Sequence, residues 1–312
     1  MERPSVQFLI PVFNEEDCLP ALFQRLEAVK ETNSKEFLLK AIFINDGSTD
    51  QTRDVISDYC SKNKFIQLIN LSRNFGHQVA ITAGIDHADA DFCIVMDADM
   101  QDPPELANEF FMRGKSGFDV VYARRTKRLG ETHVKKLTAA IFYIIFGKLS
   151  SIDIHHDAGD FYFFNRKVLT ALKKMHEKHR FIRGLLPWAG FSSTFIEYER
   201  SQRLAGSTKF PMKKMLSFSI DAIFSFSSLP IRVAIMLGFG IILTGLIFSF
   251  YLIYQKLFGV QPTEGLTVTL LAILLVGGLQ VMMLGVVGEY IGRIYEEVKN
   301  RPLYFIQDKV NF

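Results

Sequence analysis

The sequence predicts an α/β domain with a largely parallel sheet over the first two thirds of the chain, followed by an amphipathic helix and two membrane-spanning helices. Three observations carry this expectation. Short β-rich runs alternate with helical stripes up to about residue 200, polar and acidic turns follow those runs, and two long uncharged apolar stretches stand near the carboxyl end.

Residues 6–13, 38–44, 65–71, 92–96 and 119–122 are the β-rich runs. Between the first two, Leu19, Leu22, Phe23, Leu26 and Val29 recur at helical spacing. Asn14 is the expected N-cap, with Glu15, Glu16 and Asp17 in a first turn where carboxylates favour the helix dipole. Strands separated by helices imply βαβ crossovers, hence parallel pairing and a sheet covered on both faces. Ligands of such sheets bind outside the carboxyl ends of the strands.

Residues 233–254 and 266–288 carry no charge, and at about 1.5 Å rise per residue each is long enough to cross a hydrocarbon layer of about 30 Å. Gly238, Gly240, Gly245, Gly277, Gly278 and Gly285 suit close helix contacts, within the chain or in a homo-oligomer. Lys213, Lys214 and Arg232 precede the first span, and Arg293, Lys299 and Arg301 follow the second, whereas the connecting loop carries only Lys256. The positive-inside rule then puts both ends in the cytoplasm. The amino terminus lacks the features of a signal peptide, so the first domain is expected to stay cytosolic. Residues 212–229 and 137–146 are too short or too polar to span; each fits either a helix in the headgroup layer or one packed on the soluble core. The expected organisation is a catalytic domain over 1–211, a juxtamembrane helix over 212–230, two spans over 231–290 and a tail over 291–312.

Composition narrows the function. The 312 residues hold 36 Lys+Arg against 33 Asp+Glu, a net charge of +3, with 48% hydrophobic residues and a mean hydropathy of +0.14. That is too apolar for a disordered chain and too balanced for a polycation acting on nucleic acid. Cys18, Cys60 and Cys93 show neither metal-ligand nor disulfide spacing and are read as reduced thiols. No P-loop and no dinucleotide fingerprint follows the first run.

The acids gather at the strand ends. The first run closes in Phe13-Asn14-Glu15, the second in Asn45-Asp46-Gly47, the fourth in Asp97-Ala98-Asp99-Met100-Gln101-Asp102 and the fifth in Arg124-Arg125. Carboxylates at a ligand edge would repel a phosphorylated ligand unless a hard divalent cation, Mg2+ or Mn2+, lies between them, and Asp97 with Asp99 offers the oxygens for one. Such a cation would stabilise the charge on a departing nucleoside diphosphate.

With these motifs in view, the sequence resembles the inverting GT-A glycosyltransferases of family 2. The resemblance rests on IPVFNE at 10–15, NDGSTD at 45–50, NLSRNFG at 70–76, DADMQDPPE at 97–105, DAGDF at 157–161 and GEYIGRIYEEVKNRP at 288–302. With two carboxyl-terminal spans it is similar to the polyprenyl-phosphate glycosyltransferases, relatives of dolichol-phosphate mannose synthase, and most of all to bactoprenol glucosyltransferases. The resemblance implies a Rossmann-like GT-A domain and transfer of one sugar, glucose from UDP-glucose, to undecaprenyl phosphate at the cytoplasmic face of a bacterial inner membrane, for modification of cell-envelope glycans. It also implies that Pro11, Phe13, Glu15 and Asp46 line base and ribose, that Asp97 contacts the nucleotide, and that Asp99 and Gln101 hold the metal. Arg124, Lys135, Arg203 and Lys209 would meet phosphates. Asn45 stands where many members carry Asp, so base preference is not readable from it.

Asp160 is the candidate carboxylate beside the acceptor, as base or as orienting group, with Asp157 as the alternative. A phosphate acceptor already ionised at pH 7 hardly needs deprotonation. The basic, acid-free stretch 200–214 fits a loop closing over phosphates. His155-His156 is read as exposed loop and Trp188 as packing. Other donors (GDP-mannose, UDP-GlcNAc or a UDP-aminoarabinose type) stay open. A processive polysaccharide synthase would need a QxxRW motif that the chain lacks, and a non-enzymatic membrane scaffold would not need the Asp97, Asp99 and Gln101 set.

Overall fold

The computed structural model describes residues 3–126, 158–178, 180–199, 229–258 and 265–312. The chain divides into two compact units: a sheet unit, which includes residues 302–312, and a helical unit to which the described residues 229–258 and 265–301 belong.

In the sheet unit the order is β1 (Ser5–Val12), α1 (Leu19–Thr32), β2 (Leu38–Asn45), α2 (Thr52–Lys62), β3 (Ile66–Leu71), α3 (His77–His87), β4 (Phe92–Val95) and α4 (Ala107–Lys115). Then come β5 (Val120–Arg125), β6 (Ala158–Asn165), α5 (Arg166–Lys173), α6 (Ile182–Trp188), β7 (Ser193–Tyr198) and, beyond the helical unit, β8 (Ile306–Val310). The strands form one sheet in the order β7-β5-β6-β4-β1-β2-β3-β8. β1 pairs in parallel with β2 and β4, β2 with β3, and β5 with β7, whereas β6 is antiparallel to β4 and β5, and β8 to β3. The carboxyl ends of the parallel strands therefore share one edge with the amino ends of β6 and β8.

Each of the five β-rich runs is a strand, and the mostly parallel GT-A-like sheet is the one expected. β6, β7 and β8 were not foreseen. β6 is a nearly continuous aromatic run buried on both faces, which gives no period-two signal, and β8 is short and polar. Residues 291–312 are not a separate tail: the second long helix, Leu266–Lys299, takes those up to Lys299, and β8 joins the sheet beside β3. The juxtamembrane helix falls outside the described residues except for 229–230, which belong to the first long helix.

The α1 stripe buries Leu19, Leu22, Phe23, Leu26 and Val29 as its spacing predicts, and Phe23 stacks on Tyr59 of α2 at 3.8 Å between centroids. Asn14 does not cap it. The helix starts at Leu19 after Cys18, with Pro20 in its first turn and none of the three acids there. Proline's fixed φ and missing N–H suit that position, and Asn14 is drawn instead to a neighbouring turn. Pro11 fits a central strand for a similar reason. Asp46 N donates to Val12 O and Met96 N to Leu9 O, so odd residues of β1 face β4. β4 stops opposite Leu9, and the absent N–H of Pro11 breaks no ladder bond.

In the helical unit, α7 (Leu229–Leu257) and α8 (Leu266–Lys299) pack against each other. Both contain stretches long and apolar enough to cross a membrane. Met236 and Phe239 are each 72% exposed, so the surface of α7 demands apolar surroundings. Thr244 and Ser249 turn their hydroxyls back to the carbonyls of Gly240 and Gly245 at 2.8 Å, which satisfies them without water. Of the glycines expected at close helix contacts, Gly238 has a neighbour, Met283, within van der Waals reach of an added Cβ; Gly240, Gly245, Gly277, Gly278 and Gly285 have none among the described residues.

Gly47 marks the tightest backbone approach at the ligand edge. Its φ is +66°, and a Cβ there would lie 2.4 Å from the carbonyl carbon of Arg73. Gly47→Ala is expected to cost about 1–3 kcal/mol in backbone strain, with the clash adding to it. A thermal unfolding midpoint equal to that of the native chain would contradict this packing.

Candidate active site

Four loops meet at the carboxyl edge. The first two brace each other: Asn14, at φ 54°, accepts from Thr49 N (2.8 Å) through its side chain, while Asn14 N donates to Ser48 Oγ (3.0 Å). Glu15 N donates to Thr52 Oγ1 (2.9 Å), and Gln51 N donates to Glu16 (2.7 Å). Phe13 is half-buried beside them. Asp46, 3% exposed, accepts from Phe75 N (2.7 Å) and Gly76 N (2.9 Å). Burial raises its carboxyl against the lowering effect of these amides. Asp46 thus sits where expected, but its oxygens hold the turn that opens α3. Asn45 donates to Asn70 Oδ1 (2.9 Å) and accepts from Ser48 N.

The loop after β4 carries Asp97, Asp99, Gln101 and Asp102. Met100 takes a left-handed φ of 63°, and Gln101 N donates to Asp99 Oδ1 (3.2 Å). Asp102 is fully buried and accepts from the Tyr198 hydroxyl, with Arg125 Nη2 at 3.9 Å. Arg125 Nε also donates to Tyr198 (3.1 Å), and Gly159 leaves room for this arginine, since a Cβ there would meet it at 2.5 Å. Arg124, the expected phosphate contact, alternates to the other face of β5 and stacks on Phe195 at 4.0 Å.

Asp160, at the amino end of β6, is brought to the same edge because that strand runs antiparallel. Arg183 of α6 forks it, Nε to Oδ1 at 2.6 Å and Nη2 to Oδ2 at 2.7 Å. His77, the first residue of α3, bridges Asp160 (3.2 Å) and Asp97 (3.4 Å). Gln78 reaches Asp160 at 3.5 Å and accepts from Ile182 N, tying α3 to α6. Burial opposes the charge on Asp160, but Arg183 and then His77 hold its carboxyl well below the usual range. Burial also works against charge on His77, yet Asp97 and Asp160 raise it to about 9. Asp97 itself is raised by burial and by facing Asp160, Asp102 and Asp99, with His77 pulling the other way.

An arginine-forked carboxylate held ionised far below pH 7 is a poor proton acceptor. It can fix charge and orientation. The oxygen-only set around Asp99 and Gln101 fits a hard divalent cation. Among the described residues no group of three His, Cys, Asp or Glu is placed to hold a metal ion.

The sequence reading does not single out His77, Gln78 or Arg183, and of the pair Arg124-Arg125 it assigns a role to Arg124 alone. His77 follows the turn after the third strand and was findable by the same strand-end argument; Arg183 lies in a helix with no motif around it. Lys135, Arg203, Lys209, Asp157, His155 and His156 lie outside the described residues. Trp188, at the end of α6, is 60% exposed, so of the core or interface packing expected of it the core alternative does not hold. The three cysteines are free and buried.

Residues 8–172 match the profile of glycosyl transferase family 2, and residues 229–294 that of the GtrB C-terminal hairpin. The chain is 45% identical to the uncharacterized glycosyltransferase YkcC of Bacillus subtilis, over 96% of this chain and 92% of that protein. It is 35% identical to the bactoprenol glucosyl transferase of Shigella phage SfII, over 97% of both. Among solved structures it resembles glucosyl-3-phosphoglycerate synthase from Mycobacterium tuberculosis, crystallised with Mn2+, UDP-glucose and phosphoglyceric acid. That likeness has a TM-score of 0.46 and 15% identity, over 71% of this chain and 78% of that one.

Arg183→Met should destabilise the protein at pH 7 by about 2 kcal/mol, less than the roughly 3–5 kcal/mol of a fully buried pair because Arg183 is 36% exposed. The native pair contributes stability above the unfolded carboxylate pKa of about 3.9 and loses it as pH falls further, whereas the variant gains by protonating Asp160. The gap in unfolding midpoint between the two is therefore expected to close below about pH 4. A gap independent of pH would contradict an ionised Asp160.

Proposed function

This chain belongs to glycosyl transferase family 2, and from that premise we propose that it transfers one glucose from UDP-glucose, with inversion, to undecaprenyl phosphate at the cytoplasmic face of a bacterial inner membrane. The observation that carries the proposal is the union, in one chain, of a carboxylate-rich strand edge and a hairpin of two helices of membrane-crossing length. A lipid acceptor presents its phosphate at the interface, so an enzyme anchored there works at high effective concentration. Relatives named for bactoprenol, aligned over nearly their whole length, support the acceptor.

In this reading Pro11, Phe13 and Glu15 line the base and ribose, and Asp46 holds that wall in place through the turn at 75–76. Asp97 meets the nucleotide. Asp99 and Gln101 would hold Mg2+ or Mn2+, which when bound neutralises charge on the departing diphosphate. Asp160 keeps Arg183 in place, and the guanidinium, part open at the edge, orients the acceptor phosphate for attack from the far side of the sugar. No base is required, because that phosphate is already an anion. Lys135, Arg203 and Lys209 add phosphate contacts. Two crossings return the chain to its starting side, and β8 rejoins the sheet there, in agreement with the flanking basic residues.

The decisive measurement is glycolipid formation by the full chain in detergent with undecaprenyl phosphate, Mg2+ and a panel of UDP- and GDP-sugars. UDP-glucose should give the charged glycolipid; another donor would reassign the sugar, and none would sink the proposal. Asp99→Asn should lower turnover at least about 100-fold, and chelation should abolish it until Mg2+ or Mn2+ is restored.

A further inference from the structure

The loop that carries Asp97, Asp99 and Gln101 is pinned at both feet. At the first, Met96 N donates to Leu9 O (3.3 Å) as β4 leaves the sheet. At the second, Asp102 is fully buried and precedes Pro103 and Pro104, which disfavours a helical backbone at Asp102 and leads the chain into a single turn over Pro104–Leu106. Arg25 of α1 clamps that turn through Glu105, Nε to Oε1 at 2.7 Å. Between the feet Met100, 5% exposed, holds φ 63°, a conformation that persists only where its surroundings enforce it.

Tyr198, the last residue of β7, reaches the second foot from 96 residues away. Its phenol has one proton to give and gives it to Asp102 Oδ1, while its oxygen accepts from Arg125 Nε (3.1 Å). The tyrosine is itself firmly placed. It pairs with Arg125 of β5, its carbonyl accepts from Thr126 N (3.1 Å), and its ring meets Phe161 of β6 edge-on at 5.6 Å. A hydrogen bond from so fixed a donor to a buried carboxylate is of the stronger, charge-assisted kind.

We propose that Tyr198 is a positioning residue for this loop: its hydrogen bond to Asp102 fixes the foot from which Gln101 and Asp99 present their oxygens to a divalent cation. Gln101 N donates to Asp99 Oδ1 (3.2 Å), so the two residues move as one with the foot beside them. Tyr198 acts through Asp102 and needs no contact with substrate. The part of this inference that concerns the cation rests on the proposed function; the seating of the loop does not.

The test uses the full chain in detergent, with neither sugar donor nor lipid acceptor present. Tyr198→Phe removes only the hydroxyl and leaves the ring on Phe161. Asp102→Asn keeps an oxygen to accept from Tyr198 and removes the charge. In Tyr198→Phe, amide hydrogen exchange over residues 98–102 should quicken about 10-fold while the α1 and α2 amides keep their native rates. In Asp102→Asn, exchange over 98–102 should stay within about 2-fold of native. The Kd for Mn2+ in the presence of UDP, read from the electron paramagnetic resonance signal of the free ion, should rise about 10-fold in Tyr198→Phe. Native exchange over 98–102 in Tyr198→Phe overturns the positioning contact, and equal quickening in Asp102→Asn overturns the hydrogen bond as its basis. Quickened exchange with native Mn2+ affinity overturns its bearing on the cation. If the native chain binds no Mn2+, the exchange result still decides the contact, and the failure belongs to the proposed function alone.

Discussion

Crowding of negative charge at one strand edge is the constraint that organises this protein. Asp97, Asp99, Asp102 and Asp160 converge there, and carboxylates at such spacing repel one another strongly in a partly desolvated site. The fold answers with cations placed one by one. Arg183 forks Asp160, His77 lies between Asp160 and Asp97, and Arg125 lies beside Asp102. Each cation comes from a different element, so the edge holds together only when α3, β5, β6 and α6 are all in place.

The same edge is stiffened by turns that use their own side chains as struts. Asn14 and Ser48 tie the first two loops together, and Asp46 holds the amides that open α3. A site whose dipoles are set before the ligand arrives avoids reorganising them during the reaction. Left-handed Asn14 and Met100, and the close approach of Gly47 to Arg73, are the strain this geometry carries.

The helical hairpin follows a different rule. Both helices carry long apolar stretches, and the hydroxyls of Thr244 and Ser249 are satisfied within α7. Nothing in such a surface selects a substrate. In the proposed reaction its role would be to keep the enzyme at the lipid plane where the acceptor lies.

What the residues alone determined was local or periodic. Alternation of β-rich runs and helical stripes marked five strands and the largely parallel sheet, unbroken apolar length marked both long helices, strand-end position singled out Asp46, Asp97 and Asp99, and the DAGDF motif singled out Asp160. Composition at neighbouring positions settles such features. Tertiary structure alone decided the partners: His77 and Asp160 are 83 residues apart and Arg183 lies 23 beyond Asp160. They meet because β6 enters the sheet antiparallel between β4 and β5. Strand alternation likewise sent Arg125 to the acids and Arg124 to Phe195, a choice that register makes and adjacent identical residues do not display. Long-range pairing depends on which strands are neighbours, and that is settled by burial of the whole sheet rather than by any short stretch of chain.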